Sequence, residues 1–437
     1  MPVPWVQYVL DEPLSVYLQG PWSYIRSYGI YAGAAFLARK YFAGSTNTWE
    51  RNMHGKVVMV TGGTSGIGAA VVEDLARRGA QIVLLVRSLS DEFTVDYITD
   101  LRARTDNQLI YAEACDLADL SSVRKFATKW IDNAPVRRLD MVICAAGVAT
   151  PPFKERRVTR DGVEEQWGVN YLAHTHLLNI LSPALRAQPA DRDVRVILLT
   201  CAAYVLADLD LADFDFQKRG YPSSRPWRVY GASKLALMTY GAELQRRCDV
   251  YERPDKNPNK VRVMMVDPGL IRTSLTRRFL TFGSLFGLLI YLLTWLFWAF
   301  ILKTPLGGAQ PVLHCAMSPE VLQGEGGKLF GECREKKAQR KEVEDRGFAT
   351  ALWEVTEKEV KALEVRSTLE KKKAEKAEKV AEKKEAKKGK LSYMNMPGSP
   401  SEASRIWYKT FRYKLMNEAP SHNSAFKVYS LHAPVFP

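Results

Sequence analysis

Short runs of aliphatic residues alternate with helical stretches along the first two thirds of the chain. The runs at 57–60, 81–86, 141–144 and 194–199 are apolar at nearly every position, which is typical of strands buried on both faces of a parallel sheet. The stretches between them, such as 69–78, are typical of helices that cross from one strand to the next. The pattern therefore predicts an α/β fold, a Rossmann-type doubly wound parallel sheet with helices on both faces.

A longer apolar segment interrupts this alternation at 279–302. Its 24 residues include no charged side chain, and Arg277, Arg278 and Lys303 flank it. As one helix it would be about 36 Å long, enough to cross a hydrocarbon core of about 30 Å. A simple crossing is excluded, however, because the strand-like run at 327–331 is expected to join the same sheet as the strands before the segment.

The apolar segment is therefore predicted to enter a membrane and return, or to lie in the membrane interface. A break near Gly287 would divide it into two arms, each about half a membrane deep. The alternative is a buried apolar lid over a ligand pocket.

The N-terminal region, 1–54, is predicted to associate with a membrane. Residues 27–38 form an apolar run between Arg26 and Arg39, which as a helix would reach only about 18 Å. That length is too short to span a bilayer, and no A-x-A cleavage site follows, so a signal peptide is not predicted. An anchor that lies on one side of the membrane fits better.

Most of the basic charge lies near the C-terminus. Of the net charge of +14, residues 366–437 supply +9, from sixteen Lys and Arg against seven Glu. The Lys-, Ala- and Glu-rich stretch at 368–390 predicts a solvated helix with i,i+4 ion pairs, and 391–437 has the composition of a disordered or draped segment. We therefore divide the chain into a body at 55–364 and a basic tail at 365–437, whose role, solubilising or lipid-binding, stays open.

Cysteine and histidine usage predicts a reduced environment and no metal site. The six cysteines occur without C-x-x-C pairs or zinc-ligand spacing, and they fall on predicted interior strands and helices, as expected in the cytosol. The six histidines include no H-x-x-x-H pair. His174 and His176 are assigned to the helix that follows Asn170.

Tyr230 and Lys234 stand four residues apart in a segment that is predicted to be helical. That spacing places a phenol and an ammonium on one face, one turn apart. A phenol with its ordinary pKa of about 10 is a poor acid–base catalyst at neutral pH, and we expect the neighbouring cation to lower that pKa. Because this spacing often arises by chance, the pair gains meaning only from the glycine-rich turn upstream.

The apolar run at 57–60 leads into that turn, Thr61-Gly-Gly-Thr-Ser-Gly-Ile-Gly68, and then into a predicted helix. Such a turn lets the backbone approach the pyrophosphate of a dinucleotide, whose charge the free N–H groups and dipole of the helix N-terminus favour. An ordinary β-to-α turn that needs glycine is the alternative. The predicted cofactor-binding residues here are Thr61, Gly62, Ser65, Gly66, Ile67 and Gly68.

Arg87 and Ser88 follow the second predicted strand. A site for NAD carries an Asp or Glu there, which binds the ribose 2′-hydroxyl. A guanidinium and a hydroxyl suit a 2′-phosphate instead. The sequence therefore predicts NADP(H) as the cofactor, with a solvated surface charge as the alternative role of Arg87.

From about 55 to 364 the chain resembles the short-chain dehydrogenases/reductases, specifically the retinol-dehydrogenase and WW-domain-oxidoreductase-like branch. The turn at 61–68 resembles the TGxxxGxG fingerprint, 141–147 the fourth-strand NNAG motif, and 266–273 the PGxxxT motif; 161–174 closely resembles a helix of this branch. The resemblance implies further cofactor contacts, with adenine through an Asp-Leu pair and with the nicotinamide carboxamide through a Thr. The residues concerned are Asp116, Leu117, Ala145, Gly147, Pro268, Gly269 and Thr273.

The same resemblance implies the catalytic roles. Tyr230 would transfer the proton, Lys234 would lower its pKa and bind the ribose, and Asn170 would organise a proton-relay water.

Two positions depart from the family pattern. Cys144 replaces the fourth-strand Asn, and Cys201 falls where the family has the catalytic Ser that binds the substrate carbonyl. A thiol is a weak hydrogen-bond donor, so Cys201 should polarise a carbonyl less well. Thr200 is the alternative donor if the register differs by one residue, and Cys201 is then a small buried apolar residue.

The leading hypothesis is an NADP(H)-dependent oxidoreductase that interconverts a hydrophobic alcohol and carbonyl, lipid-, sterol- or retinoid-like. It would act at the cytosolic face of a membrane, the endoplasmic reticulum or a lipid droplet. The alternative, motivated by Cys201, is a weakly active dinucleotide-binding scaffold that organises partners on a membrane. The predicted partners are a hydrophobic small molecule and the membrane or droplet surface; a homodimer is left open. Nucleic acid is not predicted, because no recognition motif accompanies the basic charge.

Overall fold

The computed structural model describes residues 14–133 and 137–369, with side chains from residue 28 onward. The predicted tail at 391–437 and all but the first two residues of the predicted basic helix at 368–390 lie outside the described residues. The division of the chain at 54/55 and 364/365 therefore stays a prediction.

The described strands form one eight-stranded sheet in the spatial order β3-β2-β1-β4-β5-β6-β7-β8. All neighbours are parallel except β7 and β8, which are antiparallel. The order reverses at β1, which is the signature of a doubly wound sheet, and the predicted fold class is confirmed. The strands are β1 (Val57–Thr61), β2 (Gln81–Val86), β3 (Ile110–Ala114), β4 (Met141–Cys144), β5 (Val194–Leu199), β6 (Val261–Asp267), β7 (Lys328–Gly331) and β8 (Arg334–Lys336).

Helices cover both faces of this sheet, and three of them form the apolar insertion between β6 and β7. In chain order they are α1 (Leu14–Ala43), α2 (Gly66–Arg77), α3 (Glu92–Thr105), α4 (Leu120–Ile131), α5 (Ala173–Arg186), α6 (Pro226–Val250), α7 (Ser274–Leu280), α8 (Leu285–Leu293), α9 (Trp295–Ile301), α10 (Pro305–Met317), α11 (Glu320–Gln323) and α12, which covers 346–369.

Successive side chains of β1 enter two different cores. Val57 and Met59 belong to the cluster that includes residues of α4, α5 and α6, whereas Val58 and Val60 belong to the cluster with residues of α2 and α10. Because side chains alternate across a strand, a strand with helices on both faces must be apolar throughout. This double burial explains the unbroken apolar runs in the sequence.

The apolar insertion consists of three short helices, α7, α8 and α9. No single helix in the described residues is long and apolar enough to cross a membrane; α7 and α8 reach that threshold only as a pair, bent by 105°. The predicted break near Gly287 is wrong, because the bend lies at 281–284. Gly287 is inside α8, where its N–H donates to Ser284 Oγ over 3.0 Å and its missing Cβ lets the Thr281 carbonyl approach closely.

The two ends of the insertion meet at one point. Ile271 and Lys303 form a parallel β-bridge, and the Arg272 N–H donates to the Lys303 carbonyl over 2.9 Å. The strands on either side, β6 and β7, pair directly. The prediction that both flanks of the insertion belong to one sheet is therefore confirmed.

Most of the large side chains of α8 and α9 are exposed; the buried Tyr291 is an exception. Leu285 is 86% exposed and Leu296 is 83% exposed. The base of the insertion packs on the body, where the rings of Phe279 and Trp227 lie 6.3 Å apart. The alternative of a buried lid is therefore wrong for α8 and α9.

Helix α1 is longer than the run at 27–38 that the sequence suggested. It extends over 30 residues, roughly 45 Å, because flanking charged residues such as Arg39 favour helix and do not end it. The helix ends before Gly44, whose φ of 76° suits glycine at this position. Near this end the Arg39 guanidinium donates to the Phe300 carbonyl of α9 over 3.2 Å, so α1 contacts the insertion.

Helix α12 packs on the body with its apolar face. The ring of Trp353 stacks on Tyr240 of α6, with centroids 4.9 Å apart. The residues of α12 that join the core cluster of α5 and α6 are Leu352, Trp353, Val360 and Leu363.

Candidate active site

The glycine-rich turn lies at the carboxyl end of β1, the edge of the sheet where doubly wound folds bind ligands. Gly66 starts α2 with φ of 58°, a left-handed conformation that glycine adopts without strain. Ser65, the N-cap residue, is exposed and makes no side-chain capping bond. The first N–H groups of α2 are thus free of a side-chain acceptor in the described structure, which fits the pyrophosphate of a dinucleotide.

Gly62 lies against the chain that follows β4. A Cβ atom on Gly62 would lie 2.7 Å from Ala146 Cα, so no larger residue fits. A Cβ atom on Gly147 would lie 3.3 Å from Asn170 Oδ1 and 3.6 Å from Lys234 Nζ. The predicted residues Ala145 and Gly147 therefore connect the glycine turn with the predicted catalytic residues.

The loop after β6 brings Thr273 to the glycine turn. It begins with Pro268 and Gly269, and a Cβ atom on Gly66 would lie 3.4 Å from Thr273 Cγ2. The Thr273 hydroxyl accepts a hydrogen bond from the Thr276 N–H over 3.3 Å and so caps α7. Its contact with a nicotinamide carboxamide stays a prediction.

The other predicted cofactor residues follow β2 and β3 or begin α2. Arg87 follows β2, is exposed, and has no ion-pair partner among the described residues. The Asp116 carboxylate accepts from the Ala118 N–H over 3.0 Å, while Leu117 and Ile67 pack, half-buried, against the two cores. All of these residues lie along the carboxyl edge of the sheet.

Tyr230 and Lys234 lie in the first turns of α6, beside the end of β5. Lys234 Nζ donates to the Leu199 carbonyl over 2.8 Å and lies 5.8 Å from the centroid of the Tyr230 ring. The side chains of Cys201 and Tyr230 lie close enough for each to shift the pKa of the other. The Thr200 hydroxyl is buried and has no partner among the described residues. The structure thus brings Cys201, and not Thr200, to the phenol.

Burial dominates the protonation of these groups. It raises the pKa of the Tyr230 phenol well above its usual value, and the neighbouring Cys201 raises it further. Burial also lowers the pKa of Lys234 and raises that of the Cys201 thiol. The direction for Tyr230 is opposite to the prediction from the Tyr-x-x-x-Lys spacing, because the ammonium is directed to the Leu199 carbonyl and does not offset desolvation of the phenol.

Asn170 lies in a π-helical turn, Gly168–Leu172, that precedes α5. Its amide clamps the backbone of Val148, since Oδ1 accepts from the Val148 N–H over 2.7 Å and Nδ2 donates to the Val148 carbonyl over 2.9 Å. Nδ2 also donates to Ser233 Oγ over 3.1 Å, next to Lys234. The amide therefore ties the loop after β4 to α6, and the backbone carbonyl is the group of Asn170 left for a proton relay.

His174 is a residue of this site that the sequence assigned only to a helix. It is fully buried, with Nε2 3.0 Å from Thr61 Oγ1 and Nδ1 3.1 Å from the Asn170 carbonyl. The i,i+4 spacing indicated that His174 and Asn170 share a helix face. The contact with Thr61 joins positions far apart in the chain, and no local pattern could have predicted it.

Comparison with known proteins gives consistent matches over most of the chain. A family model described as short chain dehydrogenase matches residues 56–201. The uncharacterized oxidoreductase pbr1 of Schizosaccharomyces pombe is 44% identical over 373 residues, which cover 85% of this chain and 98% of that protein. Human retinol dehydrogenase 13 is 35% identical, with 74% of this chain and 90% of that protein covered.

A solved structure also matches the fold. The crystal structure of an uncharacterized protein from Mycobacterium paratuberculosis superimposes with a TM-score of 0.52 at 27% identity, and the match covers 73% of this chain and 98% of that one.

Proposed function

Because the chain belongs to the short-chain dehydrogenase/reductase family of oxidoreductases, in its retinol-dehydrogenase-like branch, we propose that it is an NADP(H)-dependent enzyme. It interconverts a hydrophobic alcohol and the corresponding carbonyl compound at a membrane surface. The observation that carries this proposal is the position of Tyr230 and Cys201 beside Lys234, next to Asn170 and the chain that borders the glycine turn.

Each residue of the site has a separate role in the proposed transfer of a proton to or from the substrate oxygen. The Tyr230 hydroxyl donates a proton to the carbonyl oxygen during reduction and accepts it during oxidation, while the Cys201 thiol donates to the same oxygen and orients it. Lys234, fixed on the Leu199 carbonyl, places its positive charge beside the phenol and would bind the ribose. The backbone carbonyl of Asn170 would hold the relay water through which the proton exchanges with solvent.

The dinucleotide, when bound, supplies the hydride chemistry. The residues that would hold it are Thr61, Gly62, Ser65, Gly66, Ile67, Gly68, Arg87, Asp116, Leu117, Ala145, Gly147, Tyr230, Lys234, Pro268, Gly269 and Thr273.

A substrate screen tests this proposal directly. Purified protein is mixed with NADPH or NADH and with long-chain, sterol-like or retinoid-like aldehydes and ketones dispersed in vesicles, and the absorbance of the reduced cofactor is followed. We expect NADPH consumption with at least one hydrophobic class and much less with short water-soluble analogues. Absence of turnover with every class and both cofactors, in both directions, would favour the scaffold hypothesis.

The cofactor preference is expected to depend on Arg87. Arg87→Asp removes a charge-assisted hydrogen bond to a 2′-phosphate, worth about 1.5–3 kcal/mol, so the dissociation constant of NADPH should rise roughly 10- to 100-fold. The affinity for NADH should rise, because a carboxylate can accept from the 2′-hydroxyl. Arg334→Asp, on the far edge strand β8, makes the same charge change as a control. Tighter binding of NADH than of NADPH by the unaltered protein would contradict the assignment.

The raised pKa of Tyr230 has opposite consequences for the two directions of the reaction. Oxidation needs the phenolate, so its kcat/KM should rise by about tenfold per pH unit between pH 7 and 9, below the pKa of the phenol. Reduction needs the protonated phenol and should stay level over the same range. Initial rates in both directions across this range check the prediction; a plateau of the oxidation rate near neutral pH would show that the pKa in the working enzyme is low.

Membrane association is proposed on the exposed apolar side chains of α8, α9 and α1. Leu285 and Leu296 on the insertion, and Ile30 and Tyr31 on α1, are all largely exposed. The contact between Arg39 and the Phe300 carbonyl joins the two segments into one surface, which we call the apolar surface. Exposed basic residues border it, as expected for a surface that meets anionic headgroups; they include Lys40, Arg277 and Arg278.

This surface returns to the body at the Ile271–Lys303 bridge, so it suits one leaflet. We therefore propose attachment to the cytosolic face of the endoplasmic reticulum or to the phospholipid monolayer of a lipid droplet.

The alternative function, a dinucleotide-binding scaffold with little turnover, is favoured by one observation. Cys201 replaces the expected hydroxyl donor, and its S–H is a weak hydrogen-bond donor that leaves the phenol with a raised pKa. This alternative predicts tight NADPH binding and membrane attachment without turnover.

A further inference from the structure

His174 connects two parts of the site that belong to different elements. Thr61 ends β1 and begins the glycine turn, and Asn170 lies in the π-helical turn before α5. The imidazole lies between them, with one ring nitrogen at hydrogen-bonding distance from each. Its side chain is fully buried, so no contact with solvent competes with these two bonds.

The hydrogen-bond pattern fixes which nitrogen carries the proton. Thr61 Oγ1 accepts from the Ala146 N–H over 3.2 Å, so its own proton is free to point to His174 Nε2. Nε2 is then the acceptor, and Nδ1–H donates to the Asn170 carbonyl. Burial lowers the pKa of His174 to about 4, which keeps the ring neutral and this tautomer in place at physiological pH.

The Asn170 carbonyl is a group whose orientation matters for proton transfer. The amide of Asn170 is occupied by Val148 and Ser233, and the ammonium of Lys234 lies close by, since both residues border Gly147. A carbonyl oxygen has two lone pairs. The bond from Nδ1–H uses one of them and so fixes the direction in which this oxygen can accept from a proton carrier between Asn170 and Lys234. The π-helical turn, a feature often found at functional sites, brings this carbonyl within reach of the imidazole.

We propose that His174 is a positioning residue that couples the cofactor turn to the proton relay. Its Nδ1–H holds the Asn170 carbonyl in the orientation that the relay needs, and its Nε2 holds the Thr61 hydroxyl at the start of the turn that binds the pyrophosphate. The role of His174 in proton transfer rests on the proposed function. Its role at Thr61 requires only that the glycine turn binds a dinucleotide.

Two substitutions test the contact with Asn170 and the contact with Thr61 separately. The side-chain amide of Asn or of Gln places a polar atom where only one of the two imidazole nitrogens lies. In His174→Asn, Nδ2 occupies the place of Nδ1 and keeps the bond to Asn170, while Thr61 loses its acceptor. In His174→Gln, Oε1 reaches the place of Nε2 and keeps the bond to Thr61, while the Asn170 carbonyl loses its donor. His176→Gln is the matched control: it lies on the same helix, is buried, and contacts Glu364 over 3.1 Å instead of the site.

We expect the two variants to fail differently. His174→Asn should weaken NADPH binding by about 3- to 10-fold, the effect of one neutral hydrogen bond, with kcat at saturating cofactor nearly unchanged. His174→Gln should bind NADPH normally but lower kcat by a similar factor and change the solvent isotope effect and the pH dependence of kcat. NADPH fluorescence titration and steady-state kinetics in H₂O and D₂O measure these effects in the full-length protein, with thermal unfolding as the check on folding.

A merely structural role predicts a different result. In that case both variants would lower NADPH affinity and kcat together, in proportion to their loss of thermal stability, and the isotope effect would not move; this outcome would overturn the proposal. If the unaltered protein shows no turnover at all, the proposed function fails. The NADPH-binding measurements still test whether His174 supports the cofactor turn. Equal NADPH affinity in His174→Asn and His174→Gln would then refute the coupling.

Discussion

Tyr230→Phe should reduce turnover by about 10²–10⁴-fold, the range that general acid–base catalysis contributes, while the dissociation constant of NADPH stays within about twofold. The substitution keeps the ring and removes the hydroxyl beside Cys201. The Thr200 hydroxyl is buried and has no hydrogen-bond partner among the described residues. Steady-state rates on a substrate found by screening, together with fluorescence titration of NADPH, measure both quantities.

Two further variants make this result specific. Tyr240→Phe removes a hydroxyl from the same helix, where it donates to Asn179 Oδ1 over 2.6 Å, and should cost about 1 kcal/mol of stability without loss of activity. Lys234→Ala should lose both turnover and NADPH affinity, because the ammonium serves both. Full activity of Tyr230→Phe would eliminate the proposed mechanism.

Replacing Leu285 and Leu296 by Ser together should lower partitioning into phospholipid vesicles by at least about 100-fold. Burial of each leucine side chain in lipid is worth about 1.5–3 kcal/mol, and each 1.4 kcal/mol is a factor of about ten. The two residues lie on α8 and α9 and are the most exposed leucines of the insertion. Vesicle flotation of the full-length protein over a series of lipid concentrations gives the partition coefficient.

The matched control replaces two exposed apolar residues outside the apolar surface, Leu109 and Val250, by Ser. These changes also replace exposed apolar side chains by Ser, but on the body, and should leave flotation unchanged. NADPH affinity should be unaltered in both double variants, because neither touches the glycine turn. If all three proteins float equally, attachment does not use α8 and α9, and the proposed membrane surface is wrong.

The parts of the fold that were predictable from the sequence are those that a local pattern encodes. The runs at 81–86 and 194–199 coincide with β2 and β5, because strands buried on both faces must be apolar throughout. The glycine turn was predictable because glycine adopts the φ of Gly66 without strain and alone allows the close approach at Gly62. The bend of the insertion was not predictable, since it depends on backbone contacts at Thr281. The length of α1 was underestimated because flanking charged residues do not end a helix.

Within the site, residue identity was easier to predict than its electrostatics. The sequence indicated Tyr230, Lys234 and Cys201, and the structure brings all three together. The net pKa shift of the phenol is upward where the sequence predicted a downward one, because burial outweighs any effect of the ammonium. Sequence spacing shows that two groups are near but not how much water they lose. The place of His174 in the site was not predicted for a related reason. It depends on the contact with Thr61, which lies on a different element.

The far edge of the sheet limits how this protein can assemble. Among the described strands, β8 pairs only with β7; it has three residues, and all of them are charged: Arg334, Glu335 and Lys336. Short, charged edge strands resist extension by a strand of another molecule, so a homodimer built as one continuous sheet is disfavoured on this side. Two copies in aqueous buffer would more readily hide their apolar surfaces against each other. A dimer observed without lipid or detergent would then form because the apolar surfaces lack lipid to bind. The oligomeric state relevant to the cell therefore has to be measured on protein that is bound to vesicles.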